Sequence, residues 1–210
     1  MSLMHDRLSG IVVTVAPSDA AALADARRAG TRIQRLHHHA VFTKDAEATR
    51  HFYEDILELK MVLALVDEGE IDPGAPSPFL HIFFELGDGS MLAFFAAPNI
   101  QGAEGYEYPK LSIFDHHLAV RVPDFETQLY YRKRLEAEGY KIFKKQHGFC
   151  NSIYVDDPNG VHMELSYDTP ECADHFHRAE RASQSQLKTW LETRERERQA
   201  KARVSEPALA

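Results

Sequence analysis

Residues 147–165 read HGFCNSIYVDDPNGVHMEL. Ser152 to Val155 has the composition of a strand, Asp156-Asp157-Pro158-Asn159-Gly160 is a tight turn, and Val161 to Ser166 is the returning strand. Proline presets φ, asparagine tolerates the left-handed region and glycine enters it without steric cost, so the turn predicts a hairpin. Glu164 then stands between Met163 and Leu165 in an otherwise apolar frame. A carboxylate there needs a partner, because burying an unpaired charge is costly.

Working outward, the order of elements leading to this hairpin occurs twice. Ile33 to Thr43 reads as a strand carrying His37, His38 and His39. Asp45 then starts a helix to about Leu57, with Ala48, Phe52, Tyr53, Ile56 and Leu57 at helical spacing. Strands at Lys60–Val66, Phe79–Leu86 and Ser90–Ala96 follow, with the loop Asp67–Pro78 and the turn Gly87-Asp88-Gly89 between them. In the second half, Leu111–Val122 reads as a strand carrying His116 and His117, and Asp124 starts a helix through Ala137 that Gly139 stops. Tyr140–Lys144 and the hairpin complete the unit. From His38 to Asp45 and from His117 to Asp124 is the same seven residues.

The expectation is an α+β protein of two βαβββ modules, 33–98 and 111–167, forming a curved mixed sheet around a metal site. Residues 99–110 link the modules. Residues 1–32 form an N-terminal arm, with the apolar patch Ile11–Val15 and an Ala-rich helix Ala20–Ala29 ending at Gly30. Residues 168–210 form a helical extension, read as Ala173–Arg181 and Gln184–Ala202 with an apolar stripe of Leu187, Trp190 and Leu191.

The totals narrow the function. With 44% hydrophobic and 27% charged residues the 210-residue chain is ordinary for a soluble globular protein. A formal net charge of -8 without a basic face argues against nucleic acid and anionic membrane as partners. No apolar run is long enough to span a bilayer and no leader pattern is present. Two cysteines, Cys150 and Cys172, point to reduced thiols and a cytoplasmic setting. Twelve histidines, several clustered, are the compositional anomaly and point to metal.

Strand parity sorts the candidate ligands. His38 shares a face with Ala40 and Phe42, His117 with Ala119 and Arg121, and Glu164 with His162 and Ser166. The seven-residue match favours His117 over His116, and the His37–His39 run read alone is equally a set of surface histidines. Two imidazoles and a carboxylate suit a divalent transition metal, and three protein ligands leave positions open for substrate and O₂.

The repeated βαβββ order, His-x6-Asp with Phe52-Tyr53 in the first unit, and Asp157-Pro158-Asn159-Gly160-x3-Glu164 in the second, resemble the vicinal oxygen chelate superfamily of glyoxalase I, bleomycin-resistance proteins, epimerases and extradiol dioxygenases. His147, Ile153-Tyr154, Asp157-Pro158-Asn159-Gly160 and Glu164 resemble the signature of the type I extradiol dioxygenases. That resemblance implies Fe(II) bound by His38, His117 and Glu164, a catecholic aromatic substrate and O₂, His147 as acid/base and Tyr154 as a hydrogen-bond donor to substrate. Mn(II), Zn(II) and Ni(II) suit the same donors. The chain departs from the signature at Lys145, and Ser90 stands near the place of the family's second active-site histidine. A homo-oligomer is expected. The rival readings are a metal-dependent lyase or isomerase of the glyoxalase kind, which usually has a carboxylate where this chain has Ala93, and a non-catalytic binder of small aromatics.

Overall fold

The computed structural model describes residues 2–5, 12–15, 33, 35–67, 70–72, 75–76, 78–97 and 111–205. The predicted helix at Ala20–Ala29, its stop at Gly30 and the 99–110 linker lie outside them. Two short strands, β1 (Ser2–His5) and β2 (Val12–Val15), pair antiparallel at the N-terminus.

The first module is built from β3 (His38–Phe42), helix α1 (Ala46–Ile56), β4 (Lys60–Asp67), β7 (Phe79–Glu85) and β8 (Met91–Ala96), its strands in the sheet order β3-β8-β7-β4. The segment predicted as loop contains a small antiparallel pair, β5 (Glu70–Asp72) and β6 (Ala75–Pro76). The second sheet, β10-β11-β12-β9, comprises β9 (Leu118–Arg121), β10 (Phe143–Gln146), β11 (Cys150–Asp156) and β12 (His162–Asp168). In each sheet the edge strand that opens the module pairs parallel with its neighbour, β3 with β8 and β9 with β12, and the other pairings are antiparallel. Each unit therefore has the predicted βαβββ order.

The opening strand of each module is shorter than the sequence suggests. β3 begins at His38 because its parallel partner β8 begins at Met91, opposite it. β9 begins at Leu118, whose opposite number in the parallel partner is Met163. Residues further upstream have no ladder to join. His117 thus sits one residue before its strand, after a turn in which Asp115 accepts hydrogen bonds from the Ser112 amide and hydroxyl at 2.8 Å.

α1 starts where the sequence predicts, with the Asp45 side chain accepting from the Ala48 amide at 2.9 Å. It runs as α-helix over Ala46–Arg50 and continues as a π-helical turn over His51–Ile56. The Leu57 amide donates to the Phe52 carbonyl five residues back, at 3.0 Å. The second helix, α2 (Phe125–Ala137), is capped by Asp124 and ends at Gly139 with φ 85°. Glu58 takes the same left-handed position after α1, with φ 58°. α3 (Cys172–Ser205) is one helix of 34 residues where two were expected. No glycine or proline interrupts 172–205, and the Ser183 and Ser185 hydroxyls bond back to Glu180 and Ala182 carbonyls, which lets the helix run through. Among the described residues no helix is long and apolar enough to cross a membrane.

One core joins both sheets. Ile82 and Phe84 of β7, Leu92 and Phe94 of β8, Ile153 and Val155 of β11, and Met163 and Leu165 of β12 turn inward around Phe52 and Tyr53 of α1. The Asp-Pro-Asn-Gly turn locks into this core. Asp157 Oδ1 accepts from the amides of Asn159 and Val161, both at 2.8 Å; Oδ2 accepts from the Tyr53 hydroxyl at 2.9 Å and from Asn159 Nδ2 at 3.0 Å. Asn159 Nδ2 also reaches Thr49 Oγ1 at 3.1 Å. Burial raises the Asp157 carboxyl above its ordinary range, and these donors pull against it.

Tyr53→Phe removes one donor from this buried carboxylate and should cost about 1–3 kcal/mol in chemical denaturation, with an unchanged slope. The folded-state pKa of Asp157 already lies above its unfolded value, so the native state pays most for this group once it is ionised. Losing Tyr53's hydrogen bond raises that pKa further. The penalty of Tyr53→Phe should therefore shrink as pH falls from neutral into the acid range where Asp157 is protonated, and a penalty that grows on acidification would contradict the assignment.

Candidate metal centre and cavity

The outward faces of the two sheets carry the chemistry. On β12, Met163 and Leu165 point into the core, so the alternate residues Glu164 and Ser166 face the other way. The register sets Tyr154 opposite Glu164 and Ser152 opposite Ser166. Glu164 is 6% exposed. Its Oε1 accepts from the Ser152 hydroxyl at 2.5 Å and the Ser166 hydroxyl at 2.8 Å. Burial alone would push the Glu164 carboxyl up, but these hydrogen bonds, that of Tyr154 and the nearby His117 together hold it below its usual range. The buried carboxylate therefore stays ionised, with Oε1 fixed and Oε2 facing out.

Oε2 faces His117, whose Nε2 lies 3.4 Å away. The other ring nitrogen, Nδ1, is 2.8 Å from the Ile113 carbonyl. A carbonyl can only accept, so Nδ1 carries the proton and donates it. When the ring is neutral, Nε2 presents a lone pair to a carboxylate oxygen, and the gap between these two acceptors suits a cation. Donating the far N–H to a backbone carbonyl is how a metal-ligating histidine is usually oriented. At ordinary metal–ligand lengths of about 2.0–2.2 Å, two donors at this separation can share one ion. His117, and not His116, is the histidine on this face.

Tyr154 and His147 adjoin the pair. The Tyr154 hydroxyl is 2.8 Å from His147 Nε2. Burial first, then the Glu164 carboxylate, push the hydroxyl up to about 12, so it keeps its proton at neutral pH. The four residues line a cavity of about 770 Å³ whose walls are largely apolar and aromatic, with Phe114, Phe143, Phe149 and Phe176 around it. The start of α3 closes one side: Phe176 meets Phe149 at 5.3 Å between ring centroids, and His175 stacks on Phe149 at 4.7 Å.

His38 is elsewhere. It lies on the outward face of the first sheet, 5.4 Å from Phe83 and 6.3 Å from His81 between ring centroids, with its Nδ1 2.7 Å from Nδ1 of His37. Among the described residues no group of three or more His, Cys, Asp or Glu could hold one metal ion. The chain thus brings together His117, Glu164, Tyr154 and His147, and leaves His38 on the face of the other module. Ala93, opposite Phe83, is fully buried and supplies no carboxylate. Ser90 is a buried turn residue whose hydroxyl donates to Asp88 at 2.5 Å. Also near His38 is His81, whose buried Nε2 has no hydrogen-bond partner among the described residues.

The sequence reading missed Ser152, His81 and the phenylalanine walls. Ser152 was legible from parity, two residues before Tyr154 on one strand. His81 was legible from the repeat: Tyr154 pairs with Glu164 as Phe83 pairs with Ala93, which makes His81 the counterpart of Ser152.

The family model described as Glyoxalase/Bleomycin resistance protein/Dioxygenase superfamily matches residues 35–165. No curated protein matches the chain. Among solved structures, a glyoxylase/bleomycin resistance protein/dioxygenase domain from Frankia sp. EAN1pec is 16% identical, with a TM-score of 0.50, over 66% of this chain and 94% of that one. Lactoylglutathione lyase from Agrobacterium tumefaciens is 23% identical, with a TM-score of 0.45, over 64% and 93%. The fosfomycin resistance protein FosX from Listeria monocytogenes, complexed with Mn(II) and sulfate, is 20% identical, with a TM-score of 0.47, over 66% and 95%.

Ser152→Ala should raise the Glu164 carboxyl pKa, read from its side-chain ¹³C shift. The depressed pKa of Glu164 gives stability that is present above the unfolded value and is lost as pH falls through the folded one. The variant should therefore be less stable at neutral pH by about 1–3 kcal/mol and converge on the parent in acid.

Proposed function

We propose that this chain, which belongs to the Glyoxalase/Bleomycin resistance protein/Dioxygenase superfamily, is an Fe(II)-dependent dioxygenase of the extradiol type, opening a catecholic ring with O₂. The observation that carries the reading is the slot between His117 Nε2 and Glu164 Oε2, 3.4 Å wide, set in an aromatic-walled cavity beside Tyr154 and His147.

His117 and Glu164 would hold the ion from one chain, and His38 of a second copy would supply the third ligand. Both sheets back onto the one core, so their ligand-bearing faces look outward. A copy of the chain offers the face that each of them lacks. Phe114, Phe143 and Phe176, all exposed at the cavity, make an apolar patch that is a further reason to expect a covering surface. Bound there, the metal would supply a template for adjacent substrate oxygens and O₂ and would act as a Lewis acid on the substrate oxygens. The protein's own part lies around it. Tyr154, kept protonated, donates to a substrate oxygen. His147 Nε2 takes a hydroxyl proton from the catechol and returns it to the opened product. The phenylalanines stack on the ring and exclude water. Ala93 argues against a fourth, carboxylate ligand of the glyoxalase kind.

Protein loaded anaerobically with Fe(II) should give the yellow ring-cleavage chromophore with at least one member of a catechol panel. Iron-bearing protein that is silent with all of them would overturn the dioxygenase reading. His147→Ala should keep its iron and lose about 10²- to 10⁴-fold in kcat. The shared site has its own test. His38→Ala and Glu164→Ala chains, each inactive alone, should recover activity when co-expressed, because a mixed dimer has one intact set of ligands. Continued silence of the mixture, with active parent protein, would place all three ligands in one chain.

A further inference from the structure

A second pair of imidazoles sits between the modules, apart from the His117–Glu164 slot. His39 is on β3 and His116 is in the segment entering β9, and both are half-buried. Their ring centroids are 5.3 Å apart and their Nε2 atoms 3.3 Å apart. The Nε2 atoms are much closer than the centroids, so the rings approach through their Nε2 edges. The ring planes differ by only 27°.

We propose that His39 and His116 form a second metal site, a bidentate clamp for a borderline-soft divalent ion of the zinc, nickel or copper class. With zinc–nitrogen bonds of about 2.0–2.1 Å, nitrogens at the observed separation subtend an angle of about 107° at the ion, close to the tetrahedral value that zinc adopts. Imidazole is the ligand these ions share. Half-exposure of both rings leaves water to complete the coordination. The two residues belong to different modules and stand seventy-seven positions apart, so an ion here ties β3 to the entrance of β9. Each is also the chain neighbour of a proposed ligand of the first site, His38 and His117. The clamp therefore holds the backbone from which those two side chains project. Its own ion takes no part in the proposed reaction.

The test uses the full-length chain with Glu164→Ala, which disables the first site, and zinc alone as the probe. After dialysis against limiting zinc this variant should retain one ion per chain by elemental analysis, and zinc should raise its thermal midpoint. Adding either His39→Gln or His116→Gln should abolish both the retained ion and the thermal shift, while adding His177→Gln, on the exposed face of α3, should abolish neither. A Glu164→Ala protein that retains no zinc overturns the proposal. So does zinc that persists in both double variants, or a bound ion that leaves the thermal midpoint unmoved. None of these outcomes bears on iron loading or ring cleavage by the parent protein, so the two sites stand or fall separately.

Discussion

A single buried carboxylate holds the architecture in place. Asp157 spends one oxygen on the amides of its own turn and the other on Tyr53 and Asn159. Tyr53 belongs to the helix that packs under the first sheet, stacking on Phe84 at 5.4 Å. The turn belongs to the second sheet. Ionic hydrogen bonds to a buried group are strong and directional, and leaving any of its lone pairs unmet is expensive. The relation of the two sheets is therefore fixed at one point from which β11 and β12 run out in register. That register is what sets Tyr154 across from Glu164.

The division of faces follows from the same packing. Alternate residues of β7, β8, β11 and β12 are consumed by the core, which leaves their neighbours for chemistry. On the second sheet that outward set is Ser152, Tyr154, Glu164 and Ser166, a polar group that orients itself. On the first it is His38, His81, Phe83 and Ala93, a largely aromatic group with one histidine nitrogen left without a partner among the described residues. The two sets are complementary in chemistry: one offers a charge with its donors, the other imidazoles and ring faces.

Much of this was legible in the sequence. Asp-Pro-Asn-Gly announced the hairpin because its φ preferences are local, and Asp45 and Asp124 announced helix starts because capping is local. The repeated spacing from histidine to aspartate gave the module order, and the glutamate in an apolar strand pointed to a partnered carboxylate. What could not be read depends on distant partners. The first strands begin only where β8 and β12 offer a parallel partner, and those partners lie in another part of the chain. The wall residues Phe114 and Phe176 meet only through folding. Parity assigned His38 and Glu164 to faces correctly, but parity within a strand is silent on whether two sheets turn those faces towards each other or apart.

The π turn in α1 has a consequence for how such a chain can vary. An α-helix turns about 100° per residue, so Phe52 and Tyr53 would diverge on a regular cylinder. Widening the turn by one residue lets both rings be wholly buried, Tyr53 against Phe84 and Phe94, Phe52 against Tyr140 of the second module at 5.1 Å. An aromatic substitution at Phe52 alters fit, and one at Tyr53 also removes the hydroxyl that Asp157 accepts from. Removing one residue from 51–56 would tighten the turn and swing everything after it out of phase with one sheet or the other. The helix thus touches both modules through adjacent rings, and its phase depends on its residue count.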